Sequence, residues 1–356
     1  MRRCLFAVGI GLNGQLGLGA AVKMSAEPVL VREGVRLAAA SADASFAVFD
    51  ECERTLHATA SLSTKFAPLL KLDRAVAQVA CGKRHTLVRD VDGALFAFGA
   101  NDSGQLGVGS PAEDVTESAP PMRSRVGSDS AAVVAVAAGL LHSLAVTSDG
   151  RLYSCGASAF NELGHGTPLH ESTWKRVDAL AGVRVVGAAA GGLHSVAWTD
   201  DGRLYSFGRN DRGQLGTDER TFGHVAAVDV PGRVVSVACG QAHTLILCAD
   251  NRLFACGDNQ MGQLGRSAHV LGKDVLPIAT PAGAAPISSI SCGAFFNLAC
   301  LQDGQLLAWG CGNDLQLGTG SRASVFVPVA VQSKHEQWKR VLQAVGGWGH
   351  TLMVVN

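Results

Sequence analysis

The sequence has no excess of either charge: 30 basic and 30 acidic residues cancel to a formal net charge of +0, and no run of Lys or Arg stands out. A sequence-independent electrostatic hold on nucleic acid therefore has nothing to rest on, and no nucleic acid is expected among its partners. Long apolar runs are missing too. The longest, residues 131–141, ends at His142-Ser143, short of the roughly 20 residues a membrane-spanning helix needs, so no membrane insertion is expected. Met1-Arg2-Arg3 precedes an apolar stretch barely long enough for a secretion signal, with no clean small-x-small cleavage site after it.

None of the ten cysteines forms a CxxC pair. Cys81, Cys239 and Cys292 stand where related segments carry Ala138 and Ala190, and Cys155 and Cys256 stand where others carry Phe98, Phe207 and Trp309. Exchange with plain hydrophobes points to buried thiols in a reducing compartment rather than to disulfides or zinc. No GxSxG elbow, HExxH or P-loop occurs, and no pair of carboxylates is lifted out of its repeat context, so an enzyme is not expected and neither is a catalytic site.

What is present is glycine, 43 residues of it, with 47% apolar and 17% charged residues. That balance describes a folded body with many tight turns and much small buried side chain. One pattern recurs. Residues 80–87 read Ala-Cys-Gly-Lys-Arg-His-Thr-Leu, followed by Asp92-Gly93, Leu95-Phe96-Ala97-Phe98-Gly99 and Gly104-Gln105-Leu106-Gly107. Further copies surround His142, His194 and His243, and a fifth has Phe296 in the histidine slot and Leu315 in a glycine slot. A degenerate copy fits at about 20–66, with 40–48 aligned to 80–88, Ser45 in the histidine slot and no Gly-Gln-Leu-Gly. The last copy starts normally at Gly347-Trp348-Gly349-His350 and stops at Asn356, while the chain opens with the missing half at 4–17.

Each unit reads as short strands. Thr86-Leu87-Val88 and Leu95-Phe96-Ala97-Phe98 flank an Asp-Gly turn, a strong hairpin signal. Pro68, Pro277 and Pro328 head pieces expected to be outer edge strands, because Pro cannot donate within a ladder. The expected fold is all-β, a seven-bladed β-propeller closed by the N-terminal strand pairing with the C-terminal strands. It would form one domain over 1–356, its last blade shared between about 338–356 and 1–17.

Gly-x-x-His-[Ser/Thr]-Leu, Asp-Gly-x-Leu-[Tyr/Phe]-x-x-Gly and Gly-Gln-Leu-Gly resemble the repeat of the regulator of chromosome condensation family. The match is most specific over 80–318. Propellers of the WD type fit poorly, since none of the five Trp is followed by Asp. The resemblance implies a seven-bladed propeller. For function it implies exchange on a Ran-like small GTPase, an adaptor role in ubiquitin ligases, cilia, vesicle traffic or receptor signalling, or substrate recognition for a ubiquitin ligase. Fold alone does not choose. The first strand starts by residue 4, where the chromatin-bound exchange factor of the family carries a basic tail, so nucleosome binding is not expected.

The remaining motifs divide into structure and candidate surface. Residues 9–14 match GxGxxG, but in register the other copies read Gly99 to Gly104, Gly208 to Gly213 and Gly257 to Gly262. The outer glycines are repeat punctuation, and no cofactor is expected. His85, His142, His194, His243 and His350 recur about every 50 residues, one per blade, too far apart to share a zinc ion. Each is expected to make a structural hydrogen bond to a neighbouring turn. Trp174 and Trp338 open a shared Trp-Lys-Arg-Val phrase and are expected to pack against an adjacent blade.

The longest insertion, between Gly107 and Val133, holds Glu113, Asp114, Glu117, Arg123 and Arg125, and a second excursion holds Asp218, Glu219 and Arg220. These are the candidate partner-binding residues, since variable loops carry specificity on a rigid scaffold. The expected function is a non-enzymatic protein-interaction scaffold within a larger assembly, with protein partners that include a small GTPase in the second reading. Its expected location is intracellular and cytoplasmic, a cytoskeletal or ciliary assembly ahead of the nucleus.

Overall fold

The computed structural model describes residues 3–10, 16, 24–42, 44–49, 52–59, 67–109, 121–127, 131–218, 224–266, 272–335 and 338–356. Its fold is all-β, a seven-bladed propeller of four-stranded antiparallel sheets. Helix among the described residues is confined to 3-10 pieces such as Asp178–Leu180.

The blade at 133–176 shows how the repeat folds. Its strands are Val133–Ala138, His142–Thr147, Leu152–Gly156 and Glu171–Arg176, hydrogen-bonded in that order. The Asp-Gly turn between the second and third is closed by Gly150 N donating to the Thr147 carbonyl at 2.8 Å, with Gly150 at φ +82°, a conformation glycine adopts without steric cost. Thr147 Oγ1 donates to Asp149 Oδ1 at 2.6 Å, which ties the aspartate into its own turn. The first strand carries a register shift between Val133 and Ala135, and all seven blades repeat it after a Val or Ile. Such a bulge adds local twist to a strand.

The chain divides into two compact units, one of 76–257 with 271–276, the other of 1–75, 258–270 and 277–356. In the first unit the blades at 76–124, 133–176 and 185–228 and most of the blade at 234–278 succeed one another. The first strand of each of the last three packs on the first two strands of its predecessor. Apolar cores lie between neighbouring sheets, as where Leu87, Leu106, Val136, Cys155 and Trp174 meet. In the second unit the blade at 287–331 packs on the closing blade, which packs on the blade at 35–71.

The closing blade runs Met24–Glu33, Cys4–Ile10, His350–Val355, Val341–Gly346. Cys4 pairs with Val355 and Gly9 with His350 on one side, and Cys4 pairs with Glu33 on the other. N- and C-terminal strands therefore do close the propeller. The N-terminal share of this blade reaches Glu33 rather than residue 17, because a fourth strand must follow the Gly-rich loop in chain order. The degenerate blade correspondingly occupies 35–71 rather than 20–66. Pro28, Pro68, Pro277 and Pro328 all lie in outermost strands.

Ser45 is not in the histidine slot. Ala40 faces Ser45 as Ala138 faces Ser143 and Cys81 faces Thr86, so Ser45 holds the hydroxyl position one residue on. Ala44 takes the histidine place, its carbonyl accepting from Ser41 N at 2.9 Å as the His142 carbonyl does from Gly139 N. One residue of register in a strand moves a side chain to the other face.

Candidate partner-binding surfaces

The motif residues that look chemical are spent inside the fold. Nε2 of His85 lies 2.9 Å from Ser143 Oγ, that of His142 2.9 Å from Ser195 Oγ, and that of His194 2.9 Å from Thr244 Oγ1. His350 reaches Ser45 Oγ at 3.0 Å. The partner is thus a strand hydroxyl of the following blade, not a turn. Each hydroxyl in the first unit then donates to a loop carbonyl of the blade before it, Ser143 to Gln105, Ser195 to Glu162 and Thr244 to Gln214, each at 2.7 Å. With its proton committed there, the hydroxyl can only accept, so the imidazole donates through Nε2–H. Burial holds the histidines neutral, pushing His85 and His194 down to about 3 and His142 and His350 down to about 4. His243 is buried in the same strand register.

The Gly-Gln-Leu-Gly loop is equally self-contained. The Gln side-chain oxygen accepts from a backbone N–H two residues earlier, as at Ser103 to Gln105 and Arg212 to Gln214, both 2.9 Å. Asn101, Asn210 and Asn259 accept from the Leu N–H at 3.0, 3.0 and 2.9 Å. Cys155 and Cys256, taken from sequence as plain hydrophobes, also direct Sγ at the Gln105 and Gln214 carbonyls, at 3.7 and 3.6 Å. Trp309 Nε1 donates to the Gln263 carbonyl at 3.1 Å. The blade at 133–176 departs from the pattern. Asn161 stands in a glycine place at φ +63°, and buried Glu162 replaces the glutamine. In the other unit Leu315 likewise adopts φ +64°.

All ten cysteines are free thiols, and burial pushes Cys81 up to about 12, which makes it a poor nucleophile. Among the described residues no group of three or more His, Cys, Asp or Glu is placed to hold a metal ion, and no helix is long and apolar enough to cross a membrane.

Of the candidate partner-binding residues, Glu113, Asp114, Glu117, Glu219 and Arg220 lie outside the described residues. Arg123 and Arg125 are exposed on and just past the outer strand Met122–Ser124, while the alternate residues Ser124 and Val126 turn inward. Asp218 is exposed two residues after Gly216, two blades further on. The base of the long insertion is pinned to the next blade. Val108 bridges Thr173, and Gly109 N donates to the Ser172 carbonyl at 3.0 Å. Trp174 is buried and donates Nε1 to Ser124 Oγ at 2.7 Å, and Trp338 stands edge-on to Phe6 at 5.3 Å. Both are packing residues.

Two clefts open between the blades at 133–176 and 185–228. One, about 340 Å³, is lined by Asp149, Arg151, Arg176 and Arg184; the other, about 290 Å³, by His165, Lys175, Asp178 and His224. Their cations are already matched: Arg151 to Asp149 at 3.0 Å, Arg176 to Asp178 at 2.6 Å and Lys175 to Glu171 at 2.6 Å.

The two positions between Gly and His in the Gly-x-x-His phrase carry no repeated residue type. In the first unit these are Lys83-Arg84, Leu140-Leu141, Gly192-Leu193 and Gln241-Ala242. They sit at the same end of each blade as the Gly-Gln-Leu-Gly loop, because Ala100 N donates to the Arg84 carbonyl and Ala157 N to that of Leu141, both at 2.8 Å. Their signal was variation inside an otherwise repeated phrase.

Residues 92–146, 149–198, 201–247, 250–300 and 303–354 match the model of the Regulator of chromosome condensation (RCC1) repeat. A second model of that repeat matches 76–105, 133–162, 185–214, 234–263 and 287–316. The chain is 32% identical over 281 residues to the Ultraviolet-B receptor UVR8 of Arabidopsis thaliana, covering 79% of this chain and 51% of that protein. It is 29% identical over 279 residues to the mitochondrial RCC1 domain-containing protein RUG3 of the same plant, covering 78% and 51%. The chain thus spans about half the length of these curated relatives. Among solved structures, human WBSCR16 superposes with a TM-score of 0.88 at 24% identity, covering 99% of both chains. Prp20p of Saccharomyces cerevisiae, studied for its binding to Gsp1p and histones, superposes with a TM-score of 0.86 at 20% identity, covering 100% of this chain and 92% of that one. At such identities these two likenesses are of fold.

Proposed function

The chain belongs to the regulator of chromosome condensation repeat family, and from that premise we propose that it acts as a non-enzymatic protein-interaction scaffold or adaptor within a larger assembly. One observation carries this reading. The histidines, hydroxyls and glutamines that recur in every well-formed repeat bond to one another in the interior, so what is left to distinguish one blade from the next is exposed loop sequence. A rigid frame that displays variable loops is suited to recognition. The ten free thiols support an intracellular site of action, proposed as cytoplasmic. Affinity capture from native cells under mild conditions should recover the chain with stoichiometric protein partners; recovery of the chain alone overturns the reading.

A second reading is guanine nucleotide exchange on a Ran-like small GTPase, favoured by the fold shared with Prp20p, whose reported binding includes Gsp1p. An exchange factor acts by binding a GTPase in its nucleotide-free form and needs no catalytic side chain of its own. Purified chain should then accelerate release of labelled GDP from a Ran-type GTPase; an unchanged release rate removes this reading and leaves the scaffold reading intact.

A further inference from the structure

Four loops of the 76–257 unit run side by side: 82–84, 139–141, 191–193 and 240–242, each joining the first strand of a blade to its second. Their glycines bring backbone against backbone. A Cβ on Gly82 would collide with the Gly139 carbonyl oxygen, one on Gly139 would lie 2.6 Å from that of Gly191, and one on Gly191 2.6 Å from that of Gly240. Gly192 N donates to the carbonyls of Gly240 and Gln241 at 3.2 and 3.1 Å. Only glycine permits so close an approach, and it brings the next positions of the loops side by side in a strip, in which Gln241 and Ala242 are half-buried and Gly192 is buried.

That strip has a definite chemistry. Lys83, Arg84 and Leu141 are exposed, and Leu140 and Leu193 are half-buried, with Leu141 keeping 37% of its surface open to solvent. The twelve residues of the four loops include two cations, three leucines and no carboxylate. Asp211, on the neighbouring loop of the blade at 185–228, is held by Arg209 at 2.7 Å. The repeat does not fix the residue type at these positions, since Gln241 and Ala242 serve the same positions elsewhere. The frame does hold them still: the Arg84, Leu141 and Leu193 carbonyls each accept a backbone N–H at 2.8 Å, and buried His85, His142 and His194 follow directly. A rigid apolar centre with a charged edge is the anatomy of a protein interface and loses little entropy on binding.

We propose that this strip docks an acidic, leucine-bearing segment of a protein partner. Leucine-type side chains of the segment lie over Leu140, Leu141 and Leu193, and its carboxylates meet Lys83 and Arg84. Charge complementarity selects this occupant, since a basic segment would meet two like charges, and such juxtaposition suppresses wrong partners. The inference rests on the adaptor reading and assigns that role one surface and one class of ligand.

The test uses the full chain and a short fluorescein-labelled peptide alternating Glu and Leu, with a Lys-for-Glu counterpart as control. Anisotropy should show saturable binding of the acidic probe only, weakened by added salt. Affinity should fall at least about tenfold both in the Lys83→Glu/Arg84→Glu double variant and in Leu140→Ser/Leu141→Ser. Thermal melts of the variants should match wild type, because the altered side chains lie outside the core. Absent binding, equal binding of the basic probe, or binding unchanged by both double variants overturns the proposal. So does concentration-dependent dimerisation of the chain abolished by the same variants, which would make a second copy the occupant. Partners captured from cells by both wild type and the Lys83→Glu/Arg84→Glu variant would refute this surface while upholding the adaptor reading.

Discussion

The two compact units solve the same packing problem with different residues at the histidine slot. Within 76–257, three successive blade junctions carry the relay from imidazole to hydroxyl to loop carbonyl, built on His85, His142 and His194. In the other unit His350 makes the imidazole-to-hydroxyl step, reaching Ser45 at 3.0 Å. At the junction of the 287–331 blade with the closing blade, Phe296 fills the slot, and Thr351 keeps only its 2.8 Å bond to the Gln316 carbonyl. Phe296 has 0% of its surface exposed and joins a core with Phe6, Leu298 and Met353. The blade at 35–71 has Ala44 there. Where the slot stands over a glycine, as at Gly139, Gly191 and Gly293, an aromatic ring fills it, imidazole or phenyl. The imidazole adds a hydrogen bond worth roughly 1 kcal/mol and, with it, a dependence on pH that a phenyl ring does not bring.

The closing strand gives the largest expected effect. Deleting residues 1–10 removes Leu5, Phe6, Ala7 and Val8, all 0–1% exposed, and strips both neighbours of their ladder, Met24–Glu33 and His350–Val355. Circular dichroism should show loss of the cooperative thermal transition. Persistence of a wild-type melt would show that the unit does not depend on its closure.

Acid should separate the two units next. The four relay histidines have pKa values of about 3 to 4 in the folded chain, below the ordinary value near 6.5. A lowered histidine leaves the unfolded chain binding protons first. Its contribution is therefore complete above about pH 6.5 and is lost as pH falls from there toward 4 and then 3. At pH 5 each histidine costs on the order of 2 kcal/mol, so the three of the 76–257 unit cost about 6 against about 2 for His350. Hydrogen exchange followed by mass spectrometry at pH 5 should show amides of 76–257 losing protection ahead of those of 287–355. Equal loss would break the comparison.

Exchanging the slot residues sharpens it. His194→Phe should cost about 1–2 kcal/mol at pH 7, from one lost hydrogen bond and slight overpacking, yet move the acid midpoint downward. Phe296→His should do the reverse, gaining Thr351 as partner and moving the acid midpoint upward. Urea titrations at pH 7 and pH 5 read both, and acid midpoints that do not move would show that the slot does not set the pH dependence.

How far these differences are legible in the sequence depends on how local their causes are. Asp-Gly hairpins, edge-strand prolines and the split blade were legible because each follows from turn chemistry or from the count of repeats. Ser45 was misplaced by one residue because its blade lacks the Gly-x-x-His phrase that anchors register elsewhere, and only the pairing of Ala40 with Ser45 restores it. Met24–Glu33 escaped assignment to the closing blade because an outer strand is paired on one side only and its pattern of burial is weak. The strip at 83–84, 140–141 and 193 was visible as variation, but that its parts adjoin depends on backbone contacts between blades far apart in sequence.

Glu162 gives the smallest expected effect, and it lies in the better-patterned unit. It occupies the place of Gln105 and Gln214, has 1% of its surface exposed, and accepts the Phe160 N–H through Oε2 at 2.7 Å. Its Oε1 is buried with no partner, and burial raises its pKa above the ordinary carboxylate value. A raised carboxyl penalises the folded chain once ionised, so the penalty is present at high pH and fades as pH falls through the folded value. Glu162→Gln keeps the bond to Phe160 and exchanges a buried charge for a neutral amide. Gln105 shows that the frame tolerates this, since its own Nε2 is buried without a partner. The substitution should raise stability by about 1 kcal/mol at pH 8, and the gain should shrink in urea titrations at pH 5. A gain that is absent, or the same at both pH values, would mean that the Arg209 guanidinium, whose charge favours the ionised form, already offsets the burial of the carboxylate.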